Sequence, residues 1–331
     1  METASNPWHR GELLAQALAG VDPSYALRAA PALRDRLTEQ HANFYPRLPF
    51  VVAGSVDDDG RPWATLLEGL PGFLSVPDPR HLRIDAVPAE DDPAAPGLAA
   101  GRAVGLLGIE LATRRRNRLN GRAVVARKGT LAVEVDRAFG NCPRYIHTRE
   151  LEYCASRPAP AQFGTTLDDT ARAAIRRAAT LFVASYVDVN PQPSASSGDA
   201  GRQVDVSHRG GRPGFVDVDG DLLTIPDFAG NRYFNTLGNL VANPRAGLLF
   251  PDFETGDLLQ VSGSAEVVFD SPRVADFPGA ERLWRVRVER WVRRPGALHW
   301  RGAVHDEAAE VEETGPWRHG QGPDRSSGLS A

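Results

Sequence analysis

Cysteine is nearly missing from this 331-residue chain, which holds only Cys142 and Cys154. Two cysteines cannot build a disulfide framework or a four-cysteine zinc site, and their scarcity suits a reducing compartment. Lysine is scarcer still, since Lys128 stands alone among 38 basic residues. That imbalance reads as a codon-composition bias, so abundant arginine says little about function. No apolar run of about 18 residues occurs and no apolar leader opens the chain, so it reads as soluble and cytoplasmic, without a membrane partner. The formal net charge of −4 and pI near 6.1 give no global pull toward nucleic acid. His147, His299 and His305 lack metal-ligand spacing, and no metal is expected. The glycine run Gly210–Gly214 is not a dinucleotide fingerprint, because Pro213 and the Phe-Val strand after it preclude the required helix.

What the chain does have is enough apolar residue, 42%, to fill two domains of ordinary size. It also resembles itself. The string "VGLLGIELATRRRNRLNGRAVV" from Val104 matches "AGLLFPDFETGDLLQVSGSAEVV" from Ala246, pairing Gly105 with Gly247, Leu107 with Leu249, Thr113 with Thr255 and Gly121 with Gly263. "PGFLSV" at Pro71 and "PGFVDV" at Pro213 align at the same offset of 142 residues. Two separated matches at one spacing predict two copies of one unit.

Each copy reads as β. "FVVAGSV" at Phe50 and "LFVASYV" at Leu181 are β-branched runs followed by turn signals, and further short runs recur at Leu82, Leu106, Leu222 and Leu248. Short strands with few helices predict a small barrel or sandwich per copy. "TTLDDTARAAIRRAA" carries a capping-box pattern from Thr166 to Asp169 and an apolar stripe of Ala171, Ala174, Ile175 and Ala178, as expected of a joining helix. The expected organisation is a helical lead (1–45), a first barrel (46–155), a linker helix (156–180), a second barrel (181–300) and a disordered tail (301–331), the last because little apolar content follows Arg301.

One stretch of the second copy, Asp227–Phe250, places a Gly230-Asn231-Arg232 turn ahead of an apolar-periodic segment that ends where Asn243 meets Pro244. A helix N-terminus there would present free N–H groups and partial positive charge, to which Arg232 adds a cation and Asn231, Asn235 and Thr236 add hydrogen-bonding groups. This fits an anion seat; an ordinary capped helix with a surface arginine fits it too. The first copy has Ala89-Glu90-Asp91-Asp92 in that place, and carboxylates would repel a phosphate. One phosphate-bearing ligand per chain is the expectation, with the first copy serving as a wall.

At these residues the chain resembles the pyridoxamine 5'-phosphate oxidase-like, FMN-binding split-barrel family, in particular its flavin-nucleotide-binding branch. The second copy carries the likeness through "SHRGGRPGFV", "IPDFAGNRYFNTLGN", "NPRAGLLFPDFETGDLLQVSGSAEV" and "GAERLWRVRVERWV", and the first through "LPFVVAGSVDDDGRPWA", "GLLGIELATRRRNRLNG" and "FGNCPRYI". Gly210-Gly211 departs from the Gly-Asp frequent in that branch. The resemblance implies a mainly β (α+β) fold of two tandem split barrels forming an intramolecular pseudo-dimer, itself monomeric or a homodimer, with FMN between the barrels. It implies that Asn231, Arg232, Asn235 and Thr236 hold the phosphate, and that Ser207, His208 and Arg209 line the ring. Thr224, Ile225, Pro226 and Asp227 would form the next strand's end. Gln260 and Arg118 would occupy the place three residues before Gly263 and Gly121 that the family points at the flavin. His208 is the candidate proton relay, with simple packing against the ring as its alternative.

The activity implied is flavin-dependent oxidoreduction of a small molecule, with NAD(P)H or a separate ferredoxin or flavin reductase as electron source; no reductase module is visible in this chain. A non-catalytic flavin binder, or a haem- or deazaflavin-binding split barrel, is the competing reading. "TRRRNR", Thr113–Arg118, is the strongest local charge cluster. On a hairpin its alternate residues Arg114, Arg116 and Arg118 share a face that could close over the ligand, or it is a solvated edge.

Overall fold

The computed structural model describes residues 7–127, 129–189, 199 and 201–317. The lead carries α1 (Arg10–Leu18), α2 (Pro23–Ala29) and α3 (Glu39–Phe44). The first domain follows with β1 (Phe50–Val56), β2 (Pro62–Glu68), β3 (Leu74–Asp78), β4 (His81–Ile84), β5 (Ala103–Glu110), β6 (Arg115–Arg127) and β7 (Thr130–Gly140). Short strands β8 (Thr148–Arg149), β9 (Glu152–Tyr153) and β10 (Gln162–Gly164) and helix α4 (Asp169–Arg177) lead to the second domain. That domain contains β11 (Thr180–Asp188), β12 (Arg202–Gly210), β13 (Asp217–Asp219), β14 (Leu222–Phe228), α5 (Asn235–Ala242), β15 (Arg245–Pro251), β16 (Leu258–Val268) and β17 (Ala280–Arg294). Strands β18 (Trp300–Arg301) and β19 (Val304–Asp306) and helix α6 (Ala309–Glu312) close the described chain.

The repeat seen in the sequence is a repeat of topology. One sheet runs β2-β1-β5-β6-β7-β4-β3 and the other β12-β11-β15-β16-β17-β14-β13, the same order element for element. Both glycines of the shared "Gly-Leu-Leu" string sit where the two domains meet. A Cβ on Gly105 would lie 2.7 Å from the Val204 carbonyl oxygen, and one on Gly247 would lie 2.3 Å from that of Pro62. Val204 and Pro62 are themselves repeat partners, so the two close approaches are one contact made twice about a pseudo-twofold axis.

Continuous apolar runs mark strands buried on both faces. In β1, Val51 and Ala53 face the core of their own domain, whereas Phe50 and Val52 join the interdomain cluster; in β11, Leu181 and Val183 face inward while Phe182 and Ala184 meet the partner domain. Gly121 and Gly263 follow β-bulges at Asn120 and Ser262, and a Cβ on either would strike the carbonyl oxygen of Glu134 or Arg287 at about 2 Å. This accounts for a glycine three residues after Arg118 and Gln260 in both copies.

Two expectations need correction. Helix α4 is capped by Asp168, whose carboxylate accepts the Ala171 amide at 2.6 Å, not by Thr166, whose carbonyl is held by the Trp291 indole. The tail is structured as far as Trp317. Strand β19 pairs with β8, Arg114 donates to Asp306 at 2.6 Å, and Trp317 packs edge-on against Phe277 while its indole donates to Phe215. A few anchors fix that segment to the barrel despite its polar composition; residues 318–331 lie outside the described part.

Candidate functional site

An open cleft of about 890 Å³, counting its mouth, lies between the domains at the N-terminus of α5. Strands β12 and β14, the turn after β14 and the first turn of α5 supply Ser207, His208, Arg209, Pro226, Asp227, Asn231, Arg232, Asn235 and Thr236, and β6 of the other domain supplies Arg118. Those ten expected residues are brought together. Arg232 and Phe234 have left-handed backbones (φ 57° and 60°), the second as N-cap of α5, so the chain turns sharply before Asn235 begins the helix. The first-turn amides of α5 have no side-chain cap from Phe234. They face the cleft with the partial positive charge of a helix N-terminus.

Three of the expected residues lie elsewhere. Thr224 and Ile225 are buried inside the second domain, where β14 pairs with β17. Only the exit of β14, from Pro226 on, reaches the cleft. Gln260 is fully buried at the pseudo-symmetric position, where its amide donates to the Ala64 carbonyl at 3.0 Å and to Asp92 at 2.9 Å. A pseudo-twofold sends each strand's arginine or glutamine into the opposite half-site, so Arg118 and Gln260 cannot serve the same ligand.

That second half-site is shut from within. Asp92, 2% exposed, accepts from the Thr65 hydroxyl, from Gln260, from Arg294 at 2.9 Å and from the Ala94 amide at 2.9 Å. Thr65 is the repeat partner of Ser207 and Gln260 of Arg118. Arg294 holds the register position next to Leu259 and Arg293 that Asn141 holds next to Asn117 and Gly140. The acidic stretch of the first copy thus places a protein carboxylate among the donors of its own half-site.

The open half-site is cationic. Arg116, Arg118, Arg144, Arg209, Arg232 and Arg282 line it against Asp227 and Glu281. Asp227 is shared by Arg209 and Arg282, each at 2.5 Å, and Arg118 is backed by Asp205 at 3.1 Å. Arg116, Arg144 and Arg232 have no carboxylate partner among the described residues. Burial, with the neighbouring Arg118 and Arg209, pushes Arg116 down to about 9. Several buried polar atoms also lack a partner among the described residues: the donors Nε of Arg118 and of Arg209 and Nδ2 of Asn141, and both ring nitrogens of His208. His208 packs edge-on against Phe182. Burial, reinforced by Arg116, His147 and Arg209, holds it well below its usual range. That direction favours the neutral imidazole, which carries one donor and one acceptor nitrogen.

Sequence reasoning missed Arg116 as a lining residue in its own right, as well as Asn141, Arg144, Tyr145 and Arg282. The Tyr145 ring lies tilted against Phe228, with centroids 4.9 Å apart, and its hydroxyl donates to the Ala229 carbonyl, carrying the first domain over the turn. The arginine hairpin was the available signal: Arg116 and Arg118 do share the face toward the cleft, while Arg114 turns away to bind Ile146 and Asp306.

Two tandem split-barrel units, one half-site open and the other sealed, define the class of protein. The chain belongs to the pyridoxamine 5'-phosphate oxidase family, which matches residues 37–161 and again 167–314. Solved structures to which the chain is similar include the HupZ protein of Group A Streptococcus (11% identity, 31% of this chain and 93% of that one, TM-score 0.26). A FAD-binding protein of Mesorhizobium loti is similar over 40% of this chain and 97% of its own (12% identity, TM-score 0.25). The Bacillus subtilis inhibitor of motility is similar over 73% of this chain and 88% of its own (10% identity, TM-score 0.20). No curated protein matches the chain.

Proposed function

We propose that the cleft binds one FMN per chain and that the protein is a flavin-dependent oxidoreductase acting on a small molecule, reduced by NAD(P)H or by a separate reductase. The observation that carries this reading is the contrast between the half-sites: one set of donors is satisfied by Asp92, and its repeat partners face an open cleft with cations and buried donors to spare. A ligand with an anionic end and a polar, hydrogen-bonding body suits that set. Arg232, Asn231, Thr236 and the α5 amides would hold the phosphate. Ser207, His208, Arg209 and Arg118 would meet the ring, where the two arginines supply positive charge and neutral His208 supplies one donor and one acceptor. The flavin, when bound, supplies the electron or hydride transfer.

The test is the purified protein. A yellow preparation that releases FMN on denaturation, and whose colour bleaches anaerobically with NAD(P)H alone or with an added reductase, is the expected result. A Soret band would replace the reading with haem, and flavin that never bleaches would leave a binder without turnover. Arg232→Glu should lower FMN affinity at least about tenfold, because a charge-assisted hydrogen bond of roughly 1.5–3 kcal/mol is replaced by repulsion. Unchanged flavin content in that variant would show that the phosphate sits elsewhere.

A further inference from the structure

Helix α1 precedes the part of the chain that matches the family, and it lies directly behind the anion seat. It is held there by glycine-to-glycine contact: a Cβ on Gly11 would lie 2.2 Å from the Gly238 carbonyl oxygen of α5, and one on Gly238 would lie 2.6 Å from the Glu12 Cα. This crossing buries Glu12, 1% exposed, against the first turn of α5. Its Oε1 accepts the Asn235 amide at 2.5 Å and its Oε2 accepts the His9 backbone N–H at 2.9 Å. Asn235 turns its other end to the cleft network, accepting from Arg118 at 3.0 Å.

The charged groups around Glu12 are few. Asp205 on β12 accepts from Arg118 at 3.1 Å, from Asn120 at 2.6 Å and from Asn239 at 2.9 Å, and Asn239 meets His9 Nε2 at 2.9 Å. Arg118 on β6 and Arg137 on β7 are the cations that face this cluster; burial lowers the pKa of His9, whose Nε2 lies 3.6 Å from Glu12. Ionising Glu12 adds a second carboxylate charge beside Asp205, behind the seat and joined to it through Asn235. Burial and Asp205 raise the Glu12 carboxyl to about 7, so both states are accessible near neutrality.

We infer that Glu12 is a positioning residue for the anion seat, acting through Asn235, and that a phosphate-bearing ligand binds together with a proton taken up by Glu12. This rests on the proposed anion seat but not on the flavin chemistry. The direction follows from linkage: an anion in the seat favours protonated Glu12, so protonated Glu12 must favour the anion by the same factor. A ligand that raises the Glu12 pKa by one unit binds about tenfold more tightly to the protonated form.

The experiment is calorimetry of the full chain with FMN and, separately, with inorganic phosphate, at pH 6.5 and 8.5 and in two buffers of different ionisation heat. Proton uptake is expected on binding either ligand. Affinity should fall about tenfold between the two pH values in the wild type relative to Glu12→Gln; the second ionisation of the ligand's own phosphate, at about pH 6 in an ester and higher in the free ion, is common to both proteins and cancels in that comparison. Glu12→Gln keeps shape and one hydrogen bond, and in it the uptake should shrink severalfold. Equal pH profiles in the two proteins, or wild-type binding with no proton uptake, would overturn the inference. Phosphate binding with proton uptake but no FMN binding would sustain it and defeat the flavin reading. Binding of neither ligand would defeat both.

Discussion

Arg118 of the first domain reaches across the interface to the hydroxyl of Ser207 in the second, whereas their repeat partners Gln260 and Thr65 each bond to Asp92 instead. The same pair of strand positions therefore frames an open seat on one side of the pseudo-twofold and a sealed one on the other.

Removal of each strand residue separates the two sides. Arg118→Met should lose most bound flavin and destabilise the fold, because Asp205 keeps its burial and loses its cation, a change worth about 3–5 kcal/mol. Gln260→Met removes two buried hydrogen bonds, about 1–3 kcal/mol, and should leave flavin content unchanged. Absorbance of the purified variants and thermal melts read both outcomes; flavin loss in Gln260→Met would mean that the sealed half-site also serves the ligand.

Asp92 behaves in this arrangement as a built-in anion. Asp92→Ala should melt earlier than wild type, as Arg294 loses its nearer buried partner. Millimolar inorganic phosphate should restore part of that loss in the variant by occupying the vacated donors, through ordinary binding linkage. Identical phosphate effects on variant and wild-type melting would refute the equivalence of the two half-sites.

The interdomain glycines bear on the architecture itself. Gly247→Ala places a Cβ 2.3 Å from the Pro62 carbonyl oxygen, so the domains must part locally, at a cost of about 1–3 kcal/mol. A melting temperature lowered by several degrees with unchanged far-ultraviolet circular dichroism is expected, and an unshifted melt would count against the close approach.

Glu12 also fixes a direction for stability against pH. Its carboxyl rises from an ordinary 4.5 to about 7 in the fold, chiefly through burial, so between those values the folded state holds more protons than the unfolded one. Its contribution is complete below about 4.5 and is lost as pH rises through about 7, on the order of 3 kcal/mol in all. Glu12→Gln should gain in melting temperature over the wild type as pH goes from 5 to 8. A difference that stays constant across that range would place the Glu12 titration outside it.

Much of this protein is legible in its residues. The 142-residue offset, visible as Gly105 against Gly247, already states that two equal units lie in tandem, because repeated contacts demand repeated residues. The turn at Asn231 and Arg232 and the stop at Pro244 mark a helix whose free end faces something, and local backbone rules suffice for that. Local pattern could not say which half-site a strand residue enters. Arg118 and Gln260 look alike in sequence, and only the pseudo-twofold packing sends one to the open cleft and the other to Asp92. Nor could it reveal that α1 lies behind α5, since that contact joins residues more than two hundred positions apart through two glycines and one buried carboxyl. Periodicity and turn chemistry are short-range and are written along the chain. The charge balance of a buried seat is long-range, set by whichever side chains the closed fold brings together.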